Sequence, residues 1–268
     1  MIPIKDNIPT DGFPFVTVVL IIVNFVVYLL AIRHGGSVIS GPDTHELTKL
    51  GAIPYALTHS GARCADVARQ TASGVAPLGV VCDSRGLAAN GIVAQNQLPA
   101  WQTVFTSMFM HASILHIAGN MLFLWIFGNS IEDSMGPVRF IGFYLVGGVA
   151  ALALQVAVGP DSAAPTVGAS GAIAAVLGGY IVLYPRARVL TLVVIVLFFT
   201  VVELPALVML GIWFAQQALF GAVGLTNPAG GGGGIAYFAH VGGFVFGLIA
   251  IGVLASKRKQ APVRELVS

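Results

Sequence analysis

Long apolar runs separated by short polar turns dominate the chain. Phe15 to Ile32 carries no charge, and further runs cover about Ile114 to Ile131, Phe140 to Val158, Val167 to Tyr184, Ala206 to Val223 and Ile235 to Ala255. Each approaches the ~20 apolar residues that a helix needs to cross a hydrocarbon core about 30 Å thick. The pattern predicts an all-α, polytopic membrane protein with six transmembrane helices across residues 15–255, a short segment 1–14 before them and a tail 256–268 after them. A cleaved signal peptide is the competing account of the first run. That run is longer than a usual signal core, and no small-residue cleavage pattern follows it cleanly.

The stretch from Val189 to Val223 fits least well, because its 35 residues exceed one span, include Glu203 and are broken by Pro205. Ser170 and His240 each head a helix that descends toward a basic end, so an odd number of crossings must separate them. One crossing is the simplest, with Leu190 to Val202 as an interfacial or partly inserted lead-in.

Composition agrees with the membrane setting: 56% of the 268 residues are hydrophobic and only 9% are charged, far less charge than a soluble domain carries. The basic residues of the short loops sort to one side. Arg139, Arg186 and Arg188 share it with the tail residues Lys257, Arg258, Lys259 and Arg264, whereas Gly159 to Thr166 and Gly224 to Gly234 hold none. By the positive-inside rule that side is cytoplasmic. The expectation is a multi-pass protein of the cell membrane with both termini in the cytoplasm. Sidedness also explains the net charge of +2; no Lys/Arg cluster resembles a nucleic-acid patch, so the expected partner is the bilayer and not a polyanion.

Between the first two spans lies the one long polar segment, an external loop or small insert at 35–100. It contains both cysteines, Cys64 and Cys82. An oxidising outer compartment would permit a disulfide, although spacing does not establish that the sulfurs meet. Neither cysteine belongs to a CxxC or close Cys/His set, so no metal site is expected.

Three runs carry a polar residue at nearly one depth. His116 lies 16 residues before Glu132, Ser170 16 before Arg186 and His240 17 before Lys257. At about 1.5 Å per residue, all three sit about 24–26 Å above one membrane face if their helices run the same way. That layer lies near the outer face.

Gly168, Ala169, Ser170 and Gly171 open a helix after the Pro165 and Thr166 turn. Backbone N–H groups at a helix start are unpaired and could bind an oxyanion developing beside a serine. Taken alone, the tetrapeptide reads more readily as a small-residue packing site. His240 alters the balance, because an ionisable ring within a span is costly and is a functional candidate by default. Gly243 and Gly247 follow it at i+3 and i+7, while Ser170, Ala174 and Gly178 form a stripe at i, i+4 and i+8. Two such faces can pack closely and bring the hydroxyl within the roughly 3 Å that a general base needs. The competing account is a glycine-rich seam with an incidental histidine.

His116 and Asn120 stand four apart, hence on one helical face, and both can donate a hydrogen bond. They suit an oxyanion hole or, more plainly, a helix-to-helix bond. His111 reads as a loop residue that stabilises the turn into that helix. No carboxylate is placed to complete a triad: Asp161 would have to fold back toward Ser170, and Glu203 stands beside Pro205. The expected unit is a Ser and His dyad. Glu132 and Arg139 flank Gly136 and Pro137 and are expected to clamp that turn. The run Gly230 to Gly234 is a spacer or a lid.

Taken together, Trp101, His111, His116, Asn120, the Gly168 to Gly171 tetrapeptide and Ala239, His240, Val241, Gly242, Gly243 and Gly247 resemble the rhomboid family of intramembrane serine proteases. The resemblance implies Ser170 as nucleophile, His240 as general base, and His116 with Asn120 as oxyanion donors. It implies no metal or organic cofactor and a transmembrane protein as substrate, and it leaves the oligomeric state open. Two positions depart from the family pattern. Ala174 stands where some members stack an aromatic ring on the histidine, so ring orientation must come from elsewhere, and Gln102 stands where an arginine often follows Trp101. A noncatalytic rhomboid-like protein that binds membrane helices is the alternative from another class. A small-solute transporter would require inverted repeats, and none is evident.

Overall fold

The computed structural model describes residues 1–71, 74–82, 98–195, 198–226 and 236–255. The glycine run 230–234 and the basic tail residues fall outside the described residues. The chain is mostly helical. Helix α1 (Phe15–Ala31) is followed by two short helices, α2 (Thr44–Leu50) and α3 (Pro54–Thr58), and by α4 (Ala100–Thr106). Then come α5 (Ile114–Met135), α6 (Pro137–Val158), α7 (Ser170–Leu183), α8 (Ala206–Thr226) and α9 (Tyr237–Leu254). Five of these, α1, α5, α6, α8 and α9, are long and apolar enough to cross a membrane, whereas α7 has only 14 residues.

Local chemistry sets the ends. Ser113 caps α5 by accepting from His116 N at 3.2 Å, and Gly136, at φ +81°, ends it before Pro137 opens α6. Glu132 plays a different part from the expected clamp with Arg139. Its carboxylate accepts from the N–H groups of Val16 and Thr17 at 2.9 and 2.8 Å and from the Thr17 hydroxyl at 2.8 Å. The first turn of a helix has amides in want of acceptors, and α1 carries no acidic residue of its own there to supply one. Arg139 instead reaches the Leu254 carbonyl at the end of α9, at 3.4 Å.

The all-α expectation is corrected by two small sheets. Strands β1 (Ile2–Asp6), β4 (Arg188–Ile195) and β5 (Phe198–Pro205) form an antiparallel sheet in the order β1-β4-β5, and β2 (Ala65–Thr71) pairs with β3 (Gly74–Val81) in the insert. The segment expected as a lead-in to a membrane span is thus a hairpin. Its sequence gives the reason: β-branched residues crowd both strands, with Thr191 opposite Val202, Val193 opposite Thr200, and Val189 and Val201 beside them. Val189 and Thr191 alternate inward while Arg188 and Val194 point out. Pro205 closes the hairpin and passes the chain into α8.

The N-terminal strand is pinned to the same end of the molecule. Asp6 accepts from the Tyr180 hydroxyl near the end of α7 at 2.6 Å and from Ser130 at 3.3 Å, and Asn7 exchanges bonds with Arg188. Burial pushes the Asp6 carboxyl pKa up, with the Tyr180 and Ser130 hydrogen bonds opposing it. A carboxyl whose pKa rises on folding adds stability below its unfolded pKa and loses that gain as pH rises through the folded value. Asp6→Asn keeps an acceptor for Tyr180 but cannot ionise. Its thermal midpoint in detergent is therefore expected to rise relative to the unsubstituted chain from acidic to neutral pH; a gap that widened toward acid would contradict this.

At the other end of α7 the insert docks on the loop that leads to Ser170. Ala52 and Thr166 exchange backbone bonds at 3.0 and 2.8 Å, and Tyr55 N donates to Ser162 O at 3.0 Å. Cys64 and Cys82 are joined by a disulfide beside Ile53, in a small apolar cluster of the insert. The main core surrounds α7. It packs against α6 and α9, and most of its side chains are buried.

Candidate active site

The approach of α7 to α9 is set by absent side chains. A Cβ on Gly243 would collide with the Gly171 carbonyl oxygen, one on Gly247 with the Ala175 carbonyl oxygen, and one on Gly178 with the Phe244 carbonyl oxygen. Gly171 faces Ala151 of α6 and Ala239 of α9, and Ala174 lies against Gly243. Backbone thus rests on backbone along the seam. At its upper end Ser170 is the first residue of α7 and His240 stands in the first turn of α9. Ser170 Oγ lies 2.8 Å from His240 Nε2.

The other imidazole nitrogen, Nδ1, lies 2.8 Å from Gln217 Oε1 on α8. One turn earlier on α8, Trp213 sets its ring 5.8 Å from the His240 ring, with an interplanar angle of 36°. No carboxylate takes this place. Asp161 faces His59 of the insert at 3.7 Å, and Glu203 lies opposite Leu190 in the hairpin. Neither Gln217 nor Trp213 was singled out in the sequence. The available signal was the Gln216 and Gln217 pair, polar residues inside the otherwise apolar Ala206 to Val223 run.

A cavity of about 550 Å³ opens beside the serine and is lined by His116, Asn120, Gly168, Ser170, Trp213 and His240, among others. Asn120 is oriented by His111, which is fully buried. Asn120 Nδ2 lies 2.9 Å from His111 Nε2, and His111 Nδ1 lies 3.3 Å from the Phe109 carbonyl oxygen. A carbonyl can only accept, so His111 Nδ1 donates, Nε2 accepts from Asn120, and the amide keeps a second N–H. His111 therefore holds a polar side chain as well as a turn.

Gly168 has two constraints on it. Its φ of +123° suits glycine, and a Cβ there would stand 2.8 Å from the His116 ring. Its own N–H is taken by the Ser107 carbonyl at 2.8 Å. Gly168 thus supplies room at the cavity wall and not the free donor expected of it, and the unpaired amides at this point are those of the first turn of α7. Trp101 is 66% exposed at the start of α4. Among the described residues no cluster of His, Cys, Asp and Glu could hold a metal ion.

A serine hydroxyl hydrogen-bonded to an imidazole, next to a cavity with amide and imidazole donors, is equipped for nucleophilic attack on a carbonyl. Known proteins bear on the same residues. The Rhomboid domain family model matches residues 99–257, which include Ser170, His240, Gln217, Trp213, His111, His116 and Asn120. Rhomboid protein 1, mitochondrial, of Saccharomyces cerevisiae is 32% identical over 159 residues, covering 55% of this chain and 40% of that protein. Presenilin-associated rhomboid-like protein, mitochondrial, of Mus musculus is 33% identical over 149 residues, covering 53% and 35%. Rhomboid protease GluP of Bacillus subtilis is 34% identical over 93 residues, covering 35% and 17%. The match spans two fifths or less of each of these relatives. With the family model covering more than half of the chain, and the serine and histidine helices inside it, this protein belongs to the rhomboid family.

Proposed function

We propose that this chain is an intramembrane serine endopeptidase that cleaves transmembrane segments of other membrane proteins. The observation that carries the proposal is the 2.8 Å contact of Ser170 Oγ with His240 Nε2 at the cavity wall; the rhomboid protease among its relatives supports it. In this mechanism Ser170 Oγ attacks the scissile carbonyl as His240 Nε2 takes its proton. The oxyanion accepts hydrogen bonds from Asn120, His116 and the first amides of α7. His240 passes the proton to the leaving amine, and the acyl-enzyme forms as the peptide bond breaks. Water then attacks the ester with His240 as base, releasing the carboxylate product and restoring Ser170.

The short α7 suits this chemistry. Its 14 residues reach only about 21 Å, less than a hydrocarbon core of about 30 Å. Counted with the five long helices it is the sixth crossing in our reading, enclosed by its neighbours and starting below the membrane surface. Water reaches Ser170 through the cavity. We place the segment 1–14, the hairpin and the tail on the cytoplasmic side of a cell membrane and the 35–100 insert outside, because Arg139, Arg186 and Arg188 mark the end opposite Ser170.

A fluorophosphonate probe on the protein in liposomes tests the proposal, together with a reporter carrying one transmembrane segment. Ser170 is expected to be the labelled residue, found by mass spectrometry of the adduct, and the reporter to be cut within its apolar stretch. A protein that neither labels nor cuts would leave the helix-binding, noncatalytic class in its place. Asn120→Ala is expected to lower the cleavage rate about 10²–10³-fold with binding of the reporter little changed. An equal loss of binding would argue against an oxyanion role.

A further inference from the structure

The geometry points to Gln217 as the residue that fixes the tautomer and plane of the His240 imidazole, so that a neutral amide does the orienting work for which a serine protease triad uses a carboxylate. This inference rests on the Ser170 and His240 reading and deepens it. A histidine can act as base toward Ser170 only when Nε2 carries no proton, which requires the single ring proton to sit on Nδ1. Gln217 Oε1, at 2.8 Å from Nδ1, is an acceptor without a proton to give. It therefore stabilises the Nδ1–H tautomer and turns the Nε2 lone pair to Ser170 Oγ. In this orientation of the amide, the Nδ1–H tautomer satisfies the Oε1 of a buried Gln217 side chain.

Two further observations fit this role. Trp213 and Gln217 are four apart on α8 and so share the face turned to α9. Trp213 lies beside the His240 ring, tilted from it, while Gln217 meets the ring at Nδ1, and Trp213 also meets Phe244 one turn further along α9. Ala174, buried on α7, offers no ring to stack, so α8 supplies what α7 lacks. An amide also keeps the pair neutral. A carboxylate here would bring a formal charge into the span, and its cost in the membrane would have to be met by the imidazolium alone. Around the ring, α7 presents Ser170, α8 presents Gln217 and Trp213, and the titratable group across the cavity is His116 on α5. Among the described residues no acidic side chain lines that cavity.

Gln217 is a positioning residue, and its test needs a readout that mere helix packing would not move. In ¹⁵N-histidine-labelled protein in detergent micelles, the His240 signals, assigned by difference against His240→Ala, are expected to report a protonated Nδ1 and a bare Nε2. Gln217→Met has nearly the same volume without the acceptor. It is expected to give mixed tautomers and to lower kcat about 10–100-fold with KM little altered, the scale of one buried hydrogen bond to the reacting group. Gln217→Glu keeps the acceptor and adds a charge. It is expected to recover cleavage to within about tenfold of the unsubstituted chain and to move the acidic limb of its pH–rate profile upward, since a nearby carboxylate favours the imidazolium. An unsubstituted chain already showing mixed tautomers, or Gln217→Met cutting at the full rate, would overturn the inference. The tautomer measurement needs no turnover. If the protein cleaved nothing, a protonated Nδ1 lost in Gln217→Met would still uphold the role of Gln217 while the protease proposal failed.

Discussion

Ser170→Ala and His240→Ala are each expected to reduce cleavage of a transmembrane reporter by roughly 10⁴–10⁶-fold, and the double variant by no more than either alone. The two groups act as one unit: without the hydroxyl the imidazole has no proton to take, and without the imidazole the hydroxyl is a poor nucleophile at neutral pH. Stability should separate what activity does not. Ser170→Ala leaves His240 bonded to Gln217 and frees only Nε2, which faces the cavity. His240→Ala leaves the buried Gln217 Oε1 without its partner and opens space beside Trp213. A cost of about 1–3 kcal/mol is expected for that stranded amide, seen as a lower thermal midpoint. Losses that multiplied in the double variant would show independent action and would sink the dyad.

Much of the membrane part was legible because each apolar run must satisfy its backbone internally and so becomes a helix. The failures lie where that rule stops applying. Leu190 to Val202 is apolar enough to read as membrane-inserted, yet its β-branched alternation pairs as a hairpin with β1, a partner some 180 residues away in sequence. Hydropathy does not see such a partner. Glu132 was misread for a related reason: its neighbours in sequence suggested Arg139, while the unpaired amides that claim it belong to α1.

The candidate site divides in the same way. Ser170 and His240 stood out because glycine and alanine at helical spacing announce a close seam, and the seam fixes which polar residues meet. Gln217 did not, since one amide in a span is a weaker signal than an ionisable ring. The family pattern did pose the right question, because Ala174 left the His240 ring without support from α7. Gly168 was grouped with the helix-start amides as an oxyanion donor, whereas Ser107 takes its amide and its missing side chain leaves room for the His116 ring.

Gly243→Ala against Gly252→Ala is the sharpest test of that seam, because one helix carries both substitutions and helix propensity favours each equally, by about 0.8–1.0 kcal/mol in water. Around Gly252 a new Cβ meets nothing within 4 Å, so the variant is expected to match or slightly exceed the unsubstituted chain in thermal midpoint and to cleave at the same rate. A Cβ on Gly243 would overlap the Gly171 carbonyl oxygen and approach Ala174 Cβ to 3.2 Å. Backbone cannot swing aside as a flexible side chain does, so α9 must move away from α7 by about 1 Å to restore an ordinary carbon–oxygen contact. Ser170 and Gly171 are adjacent, and His240 is one turn from Gly243, so the displacement falls directly on the 2.8 Å hydrogen bond. At that length an added ångström removes the bond altogether, and misplacement on this scale costs about 10²-fold in rate. Gly243→Ala is therefore expected to lose about that much cleavage along with thermal stability, and Gly243→Val to lose the fold. If Gly243→Ala cut the reporter as fast as Gly252→Ala, the contact between the two helices could not be what brings serine and histidine together.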